Sequence, residues 1–145
     1  MTLLALSITI LLLALLAYRA FQRALRVDRF KSRFQSLYPP SETVTWLARP
    51  GQRPLLAHLY KPSGWHHTDQ RPCIVLFFGG AWRVGSAWQF APFAQRLCAL
   101  GAVVVLPEYR IKSRDRSTVD EAVTDGFVVM DKVRELGTVE DLELE

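Results

Sequence analysis

Hydrophobic and polar positions follow three successive patterns along the chain. Residues 1–18 are apolar throughout and carry no charged side chain. At a rise of about 1.5 Å per residue, a helix of this length falls just short of a hydrocarbon core of about 30 Å. Residues 19–38 change to a helical period, with Phe30, Phe34 and Leu37 on one face and arginines and a lysine between them. Pro39-Pro40 ends that helix. From Ser41 onward the pattern is that of short strands and helices separated by turn residues.

Val44-Thr45-Trp46-Leu47 and Leu55 to Lys61 predict two strands, and Pro50-Gly51-Gln52-Arg53-Pro54 between them predicts the turn of an antiparallel hairpin. Pro62 to Arg71 is a polar loop. Pro72 to Phe78 is an unbroken apolar block, which predicts a strand buried on both faces, and it stops at Gly79-Gly80-Ala81-Trp82. Ser86 stands as an N-cap for a helix from Ala87 to Leu100, and Gly101 as its C-terminal stop. Ala102 to Leu106 is the next buried strand, closed by Pro107. Strand, helix and strand at this spacing predict a crossover to a parallel neighbour. Ser117 to Leu136 reads as a further helix with caps at Ser117 and Thr118. Its apolar stripe is Val119, Ala122, Val123, Phe127, Met130, Val133 and Leu136. Beyond it stand Gly137 and an acidic tail from Thr138 to Glu145.

Charge sharpens the division. Residues 1–33 hold Arg19, Arg23, Arg26, Arg29, Lys31 and Arg33 against Asp28 alone, so the basic excess belongs to the N-terminal arm and not to residues 34–145. This argues against a nucleic-acid partner and for a membrane lipid surface. A retained single-pass N-terminal anchor fits residues 1–18 better than a cleaved signal, because no basic residue precedes the apolar run and Tyr18-Arg19 spoils the cleavage site. The basic flank would keep the domain on the cytoplasmic side. The helix at 19–38 reads equally as a membrane-surface helix or as a linker packing its aromatics on the domain. Cys73 and Cys98 read as small buried hydrophobes. His66 and His67 lie in a polar loop with no ligand cluster around them, so neither a metal set nor a cofactor site is read.

The glycine stop carries the candidate chemistry. Ligands of open α/β sheets bind at the carboxyl ends of strands, and glycines there let backbone N–H groups approach a ligand. The segment from Arg71 to Leu136 resembles α/β-hydrolases of the hormone-sensitive-lipase and feruloyl/acetylxylan-esterase kind. In those enzymes an apolar strand ends in His-Gly-Gly-Gly-Trp, whose glycine amides form part of an oxyanion hole. Here the run is Phe78-Gly79-Gly80-Ala81-Trp82, with phenylalanine for the histidine and alanine for the third glycine. Phe90-Ala91-Pro92, Val103 to Arg110 and Lys112-Ser113-Arg114 resemble the family in order and spacing. Glu108-Tyr109-Arg110 is expected to brace a loop.

The resemblance implies a partial α/β-hydrolase sheet, made of the hairpin, the crossover and a further helix, in residues 41–145. The membrane helix (1–18) and the basic linker helix (19–40) precede it. It also implies backbone oxyanion-hole donors at Gly79, Gly80 and Ala81, and a small ester as substrate. The sequence has no Gly-x-Ser-x-Gly, and His58, His66 and His67 all precede the glycine turn, so no nucleophile and no general base are assigned. Ser86, in Val-Gly-Ser-Ala-Trp, comes after no strand. The expectation is a membrane-anchored ester-hydrolase-like protein, a truncated or split hydrolase that carries the oxyanion-hole half of the site but no triad, its remaining half encoded elsewhere, lost to a frameshift or supplied by a complementary C-terminal chain. The alternatives are a non-catalytic membrane-tethered protein or a lipid-surface binding protein. The apolar strand should lie at an open sheet edge.

Overall fold

A computed structural model describes residues 3–136. The chain divides into two units, residues 1–33 and 34–145. The expected helix stop at Gly137 and the acidic tail lie outside the described residues, as do the side chains of the basic run 20–29. A single helix, α1 (Leu3–Leu37), covers both the apolar and the basic N-terminal segments. Ile8 through Leu16 and Tyr18 on it are exposed. Among the described residues no helix is long and apolar enough to cross a membrane, so the spanning anchor expected at 1–18 gains no support from the fold.

In the second unit, β1 (Glu42–Leu47), β2 (Leu55–Tyr60), β3 (Cys73–Val75) and β4 (Val103–Pro107) form one sheet in the order β1-β2-β4-β3. The hairpin β1–β2 is antiparallel, with a register shift between Thr45 and Leu47 around Trp46. β4 pairs antiparallel with β2 and parallel with β3, as a crossover requires. The period of two sorts the strand residues onto two cores. Tyr60, Val104 and Leu106, with Ile74 and Leu76, face Trp88, Ala91 and Ala94. Leu55, Ala57 and Val105, with Leu59 and Val75, face Trp46 and Val129. The first core is covered by a 3-10 turn (Ala87–Phe90) and α2 (Ala91–Ala99), the second by α4 (Val119–Leu136). Phe34 and Tyr38 also pack on the first core, while Phe30 and Leu37 stay exposed, so the aromatic arc of the linker helix is only partly used.

Several expectations are corrected. The apolar strand is shorter than predicted and only half-buried, although it packs on both cores through Ile74, Leu76 and Val75. It is an edge strand, as the open-edge expectation had it, with Cys73 and Phe77 exposed and Cys98 only half-buried. The helix predicted from Ala87 begins as a 3-10 turn, because Pro92 sits at the start of α2. Ser86 occupies the N-cap position in extended backbone but makes no capping bond, and its buried Oγ has no hydrogen-bond partner among the described residues. Thr118 caps α4: its hydroxyl accepts from Glu121 N at 3.2 Å, and Glu121 Oε2 accepts from Thr118 N at 2.8 Å. The short helix α3 (Lys112–Asp115) has no counterpart among the elements the pattern predicts.

The predicted stripe of α4 is only in part its buried face: Ala122 and Val133 of it pack on the cores. Ala122, Asp125 and Val129 are buried, whereas Val119, Val123 and Phe127 are 49%, 40% and 69% exposed. The reason is Asp125, a fully buried carboxylate that an apolar count passes over. Its Oδ2 accepts from Arg110 N at 3.0 Å and from Arg110 Nε at 2.8 Å. Its Oδ1 accepts from Arg110 Nη2 at 2.9 Å and from Arg49 Nη2 at 3.0 Å. Burial pushes the Asp125 carboxyl up, but the hydrogen bonds from Arg110 and Arg49 outweigh it and hold the group below its ordinary value.

Asp125→Ala takes the buried carboxylate from Arg49 and leaves Arg110 with Glu121 alone. It is expected to cost about 3–5 kcal/mol in urea unfolding at neutral pH, the range for breaking one side of a buried pair. The depressed folded pKa fixes the sign of the pH dependence. Asp125 contributes its full stability above the unfolded carboxyl value of about 3.9, and that contribution fades as the pH falls from there toward the folded value. Unfolding curves across that acid range should therefore be flatter for Asp125→Asn than for the native chain.

Candidate functional site

The loop after β3 is built by close approach. Gly80 has φ 142° and Gly85 φ 131°. A Cβ on Gly80 would lie 1.8 Å from the Val84 carbonyl oxygen, and one on Gly85 would lie 2.5 Å from that of Gly79. Only glycine fits either position. Between them Ala81 (φ 51°) and Trp82 (φ 57°) both take the left-handed conformation. For residues with a Cβ this costs roughly 1–2 kcal/mol each. The turn is closed by Arg83 N and Val84 N, which donate to the Gly80 carbonyl at 3.0 and 3.2 Å. It is fixed from outside by Lys112 N donating to Trp82 O at 3.0 Å and Ser113 N donating to Arg83 O at 3.0 Å.

Phe78, in the place where the hydrolases this chain resembles have histidine, is an anchor. Its ring stacks on Tyr109 with centroids 4.1 Å apart and an interplanar angle of 15°, and the Tyr109 hydroxyl donates to the Phe78 carbonyl oxygen. The Arg114 guanidinium lies 5.9 Å over the same ring. The direction of the peptide that enters the glycine turn is therefore set from β4. Burial pushes the Tyr109 phenol up, so the hydroxyl stays a donor at neutral pH.

Gly79, Gly80 and Ala81 all line one cleft of about 510 Å³, together with Phe77, Tyr109 and the exposed side of α4 at Val123 and Phe127. Among the described residues, none of the hydrogen bonds begins at the amides of Gly79, Gly80, Ala81 or Trp82, whereas Arg83 and Val84 next to them are engaged. The loop thus offers a short run of N–H groups beside an apolar wall, an arrangement suited to the oxygen of a polarised acyl group.

Other candidates lie elsewhere. Glu108 and Arg110 brace the structure: Glu108 pairs with Arg53, its backbone oxygen accepts from Trp46 Nε1 at 3.0 Å, and Arg110 holds Asp125. Tyr109 between them turns into the cleft, a role that the sequence pattern does not assign. The signal available for it is a tyrosine immediately after a strand of the crossover. His58 is buried on β2, with Nδ1 3.0 Å from the Thr43 hydroxyl and its ring 4.2 Å from that of Trp88. His66 and His67 are exposed in the loop before β3.

No protein-family model matches the chain, and no curated protein matches it. Solved structures do. Esterase 2 of Thermogutta terrifontis, phosphonylated by cyclosarin, is 31% identical with a TM-score of 0.66 over 71% of this chain and 39% of that one. The butyrate-bound form of this thermophilic planctomycete esterase is 33% identical with a TM-score of 0.64, over 69% of this chain and 37% of that one. The form phosphorylated by paraoxon is 33% identical with a TM-score of 0.64, over 69% and 40%. The chain thus spans about two fifths of the length of the esterase it matches. Together with the mixed sheet and its crossover, these likenesses establish a partial esterase fold of the α/β-hydrolase kind.

Proposed function

We propose that this chain is an ester-hydrolase-like module that supplies the anion-stabilising half of an esterase site, held at a membrane by its N-terminal helix and completed by a complementary polypeptide. The observation that carries the reading is the set of unengaged amides at Gly79, Gly80 and Ala81, residues that line an apolar cleft at the C-terminal end of β3. Such donors act on the oxyanion that forms when a nucleophile adds to an ester carbonyl, and each is worth about 10²–10³ in kcat. Alone they speed nothing, because the charge they stabilise appears only after the addition. With no Gly-x-Ser-x-Gly in these 145 residues, the nucleophile and its base come from the complementary part. The fold likeness to an esterase that has been seen with butyrate bound supports a short acyl group as the ligand.

The tether rests on α1. Ile8, Leu11 and Leu16 on it are exposed, and a run of apolar side chains with arginines on its C-terminal side suits lipid, with the folded domain on the cytoplasmic side.

Three outcomes are expected. In NMR titrations with butyrate, the amides of Gly79, Gly80 and Ala81 should shift most, and Gly80→Ala should abolish those shifts, since its Cβ would collide with the Val84 carbonyl. Shifts confined to other residues would remove the cradle. The purified chain alone should hydrolyse aryl esters no faster than background; turnover that survives Ser86→Ala but is lost in Gly80→Ala would reveal a nucleophile within this chain. Deleting residues 1–18 should move the protein out of the membrane fraction, and a truncated chain that still pellets through a high-salt wash would put the tether elsewhere.

A further inference from the structure

Beyond the cradle, the glycine loop meets α3 at a basic lip. Lys112 N donates to Trp82 O and Ser113 N donates to Arg83 O, each at 3.0 Å, so the first turn of α3 lies against the far end of the loop. Trp82 lines the cleft and is 45% exposed. Arg83 follows it, and Lys112 and Arg116 stand at the two ends of α3; all three are exposed. The carboxylates of this region are engaged elsewhere. Glu108 pairs with Arg53 and Arg114, Asp115 with Arg53, and Glu121 with Arg110. Asp120, in the first turn of α4, is the remaining acid near them in the chain. Among the described residues, Arg83, Lys112 and Arg116 form no ion pair with a carboxylate. Arg116 also ends α3 at φ 53°, a left-handed position that favours glycine, so this cation stands against the local backbone preference. Residues 34–145 have no basic excess, which makes three uncompensated cations at one place a local feature.

We propose that this lip selects esters that carry a second, anionic group, a carboxylate or a phosphate, a few bonds from the reacting carbonyl. The inference rests on the hydrolase reading and deepens it. The carbonyl oxygen belongs on the amides of Gly79, Gly80 and Ala81, and the anion on side chains that begin two residues farther along the same loop. Phe77, Val123 and Phe127 make the cleft wall apolar, so an anion gains nothing there and its place is at the lip. The N–H groups of Lys112 and Ser113 are spent on the loop carbonyls, so recognition falls to the guanidinium and ammonium groups. A guanidinium presents a fork of donors that matches carboxylate and phosphate oxygens, and an ammonium adds a point charge. One exposed ion pair is worth little in water. Three like charges at the mouth of an apolar cleft act together and raise the local concentration of anions.

The test titrates the full 145-residue chain, in a non-ionic detergent, with three esters followed by NMR. Ethyl butyrate is neutral. Monoethyl succinate carries a carboxylate in place of the terminal acyl methyl, and butyryloxyacetate carries one on the alcohol side. At low salt at least one of the two anions should bind about tenfold more tightly than ethyl butyrate and move the Nε–H signals of Arg83 and Arg116. The preference should vanish in about 1 M salt, where exposed charges are screened beyond about 3 Å. Arg83→Gln, Lys112→Gln and Arg116→Gln combined should erase it at low salt, with the amide spectrum verifying the fold. Arg83→Gln and Lys112→Gln made singly should each remove part of it, which keeps the test open where the triple variant does not fold. The proposal is overturned if all three esters bind alike, or if the preference survives the triple variant or both single variants. Cradle amides that shift equally with every ester overturn this proposal alone and leave the hydrolase reading. Anions that move Arg83 and Arg116 but not Gly79, Gly80 and Ala81 support the basic lip and remove the hydrolase reading, and a chain that binds none of the esters overturns both.

Discussion

The arrangement of this domain depends on one buried carboxylate. Asp125 has no exposed side-chain surface, and an ionised carboxylate in that position is costly unless donors surround it. Four donors do so, three from Arg110 and one from Arg49. They come from the exit of β4 and from the turn between the hairpin strands. One group thus joins α4, the sheet's central region and the hairpin, and no apolar contact could set the rotation of α4 so narrowly. Arg110 is also the neighbour of Tyr109. Once Asp125 fixes Arg110, the tyrosine ring has a defined direction, and it uses it to stack on Phe78 and to hold the Phe78 carbonyl.

That chain of contacts explains how a strained loop persists. Two successive residues with side chains in the left-handed region are held only where the surroundings over-determine them. Here the restraints come from both sides: Tyr109 on the entering peptide, and the first turn of α3 on the carbonyls of Trp82 and Arg83. The residue before the turn does not have to be histidine for this purpose. An aromatic ring that stacks serves as well, and phenylalanine in that position gains an additional contact with Arg114.

What was legible in the sequence was whatever rests on apolar period and breakers. The apolar run in Leu55–Tyr60 after a turn and the continuous run at Val103–Pro107 both became strands with the expected directions, and Gly79-Gly80 marked the cleft. The misread features share a cause. The stripe of α4 was drawn from hydrophobic residues alone, yet the face that turned inward is chosen by a charged residue whose partners are 15 and 76 positions away in the chain. Cys73 and Phe77 look buried by composition because their run is apolar; their exposure comes from β3's place at the end of the sheet, which is a property of topology. Ser86 has the right type and position for a cap, but the 3-10 turn after it gives its hydroxyl no bond to make. Tyr109 was missed because its role lies in a contact 31 residues away.

The restraints on the cradle all come from the side of β4 and α3, the side that is already folded. None comes from the open edge of β3. The loop at Gly79, Gly80 and Ala81 therefore keeps its shape independently of that edge, and orientation fixed in advance is what would give the proposed donors their value. The same separation applies in reverse. The edge at Cys73, Val75 and Phe77 presents its ladder whether or not the cradle is occupied. The turn and the edge thus rest on different supports within one strand: its C-terminal turn is held by Tyr109 and α3, and its outer flank by nothing but the parallel ladder to β4 behind it.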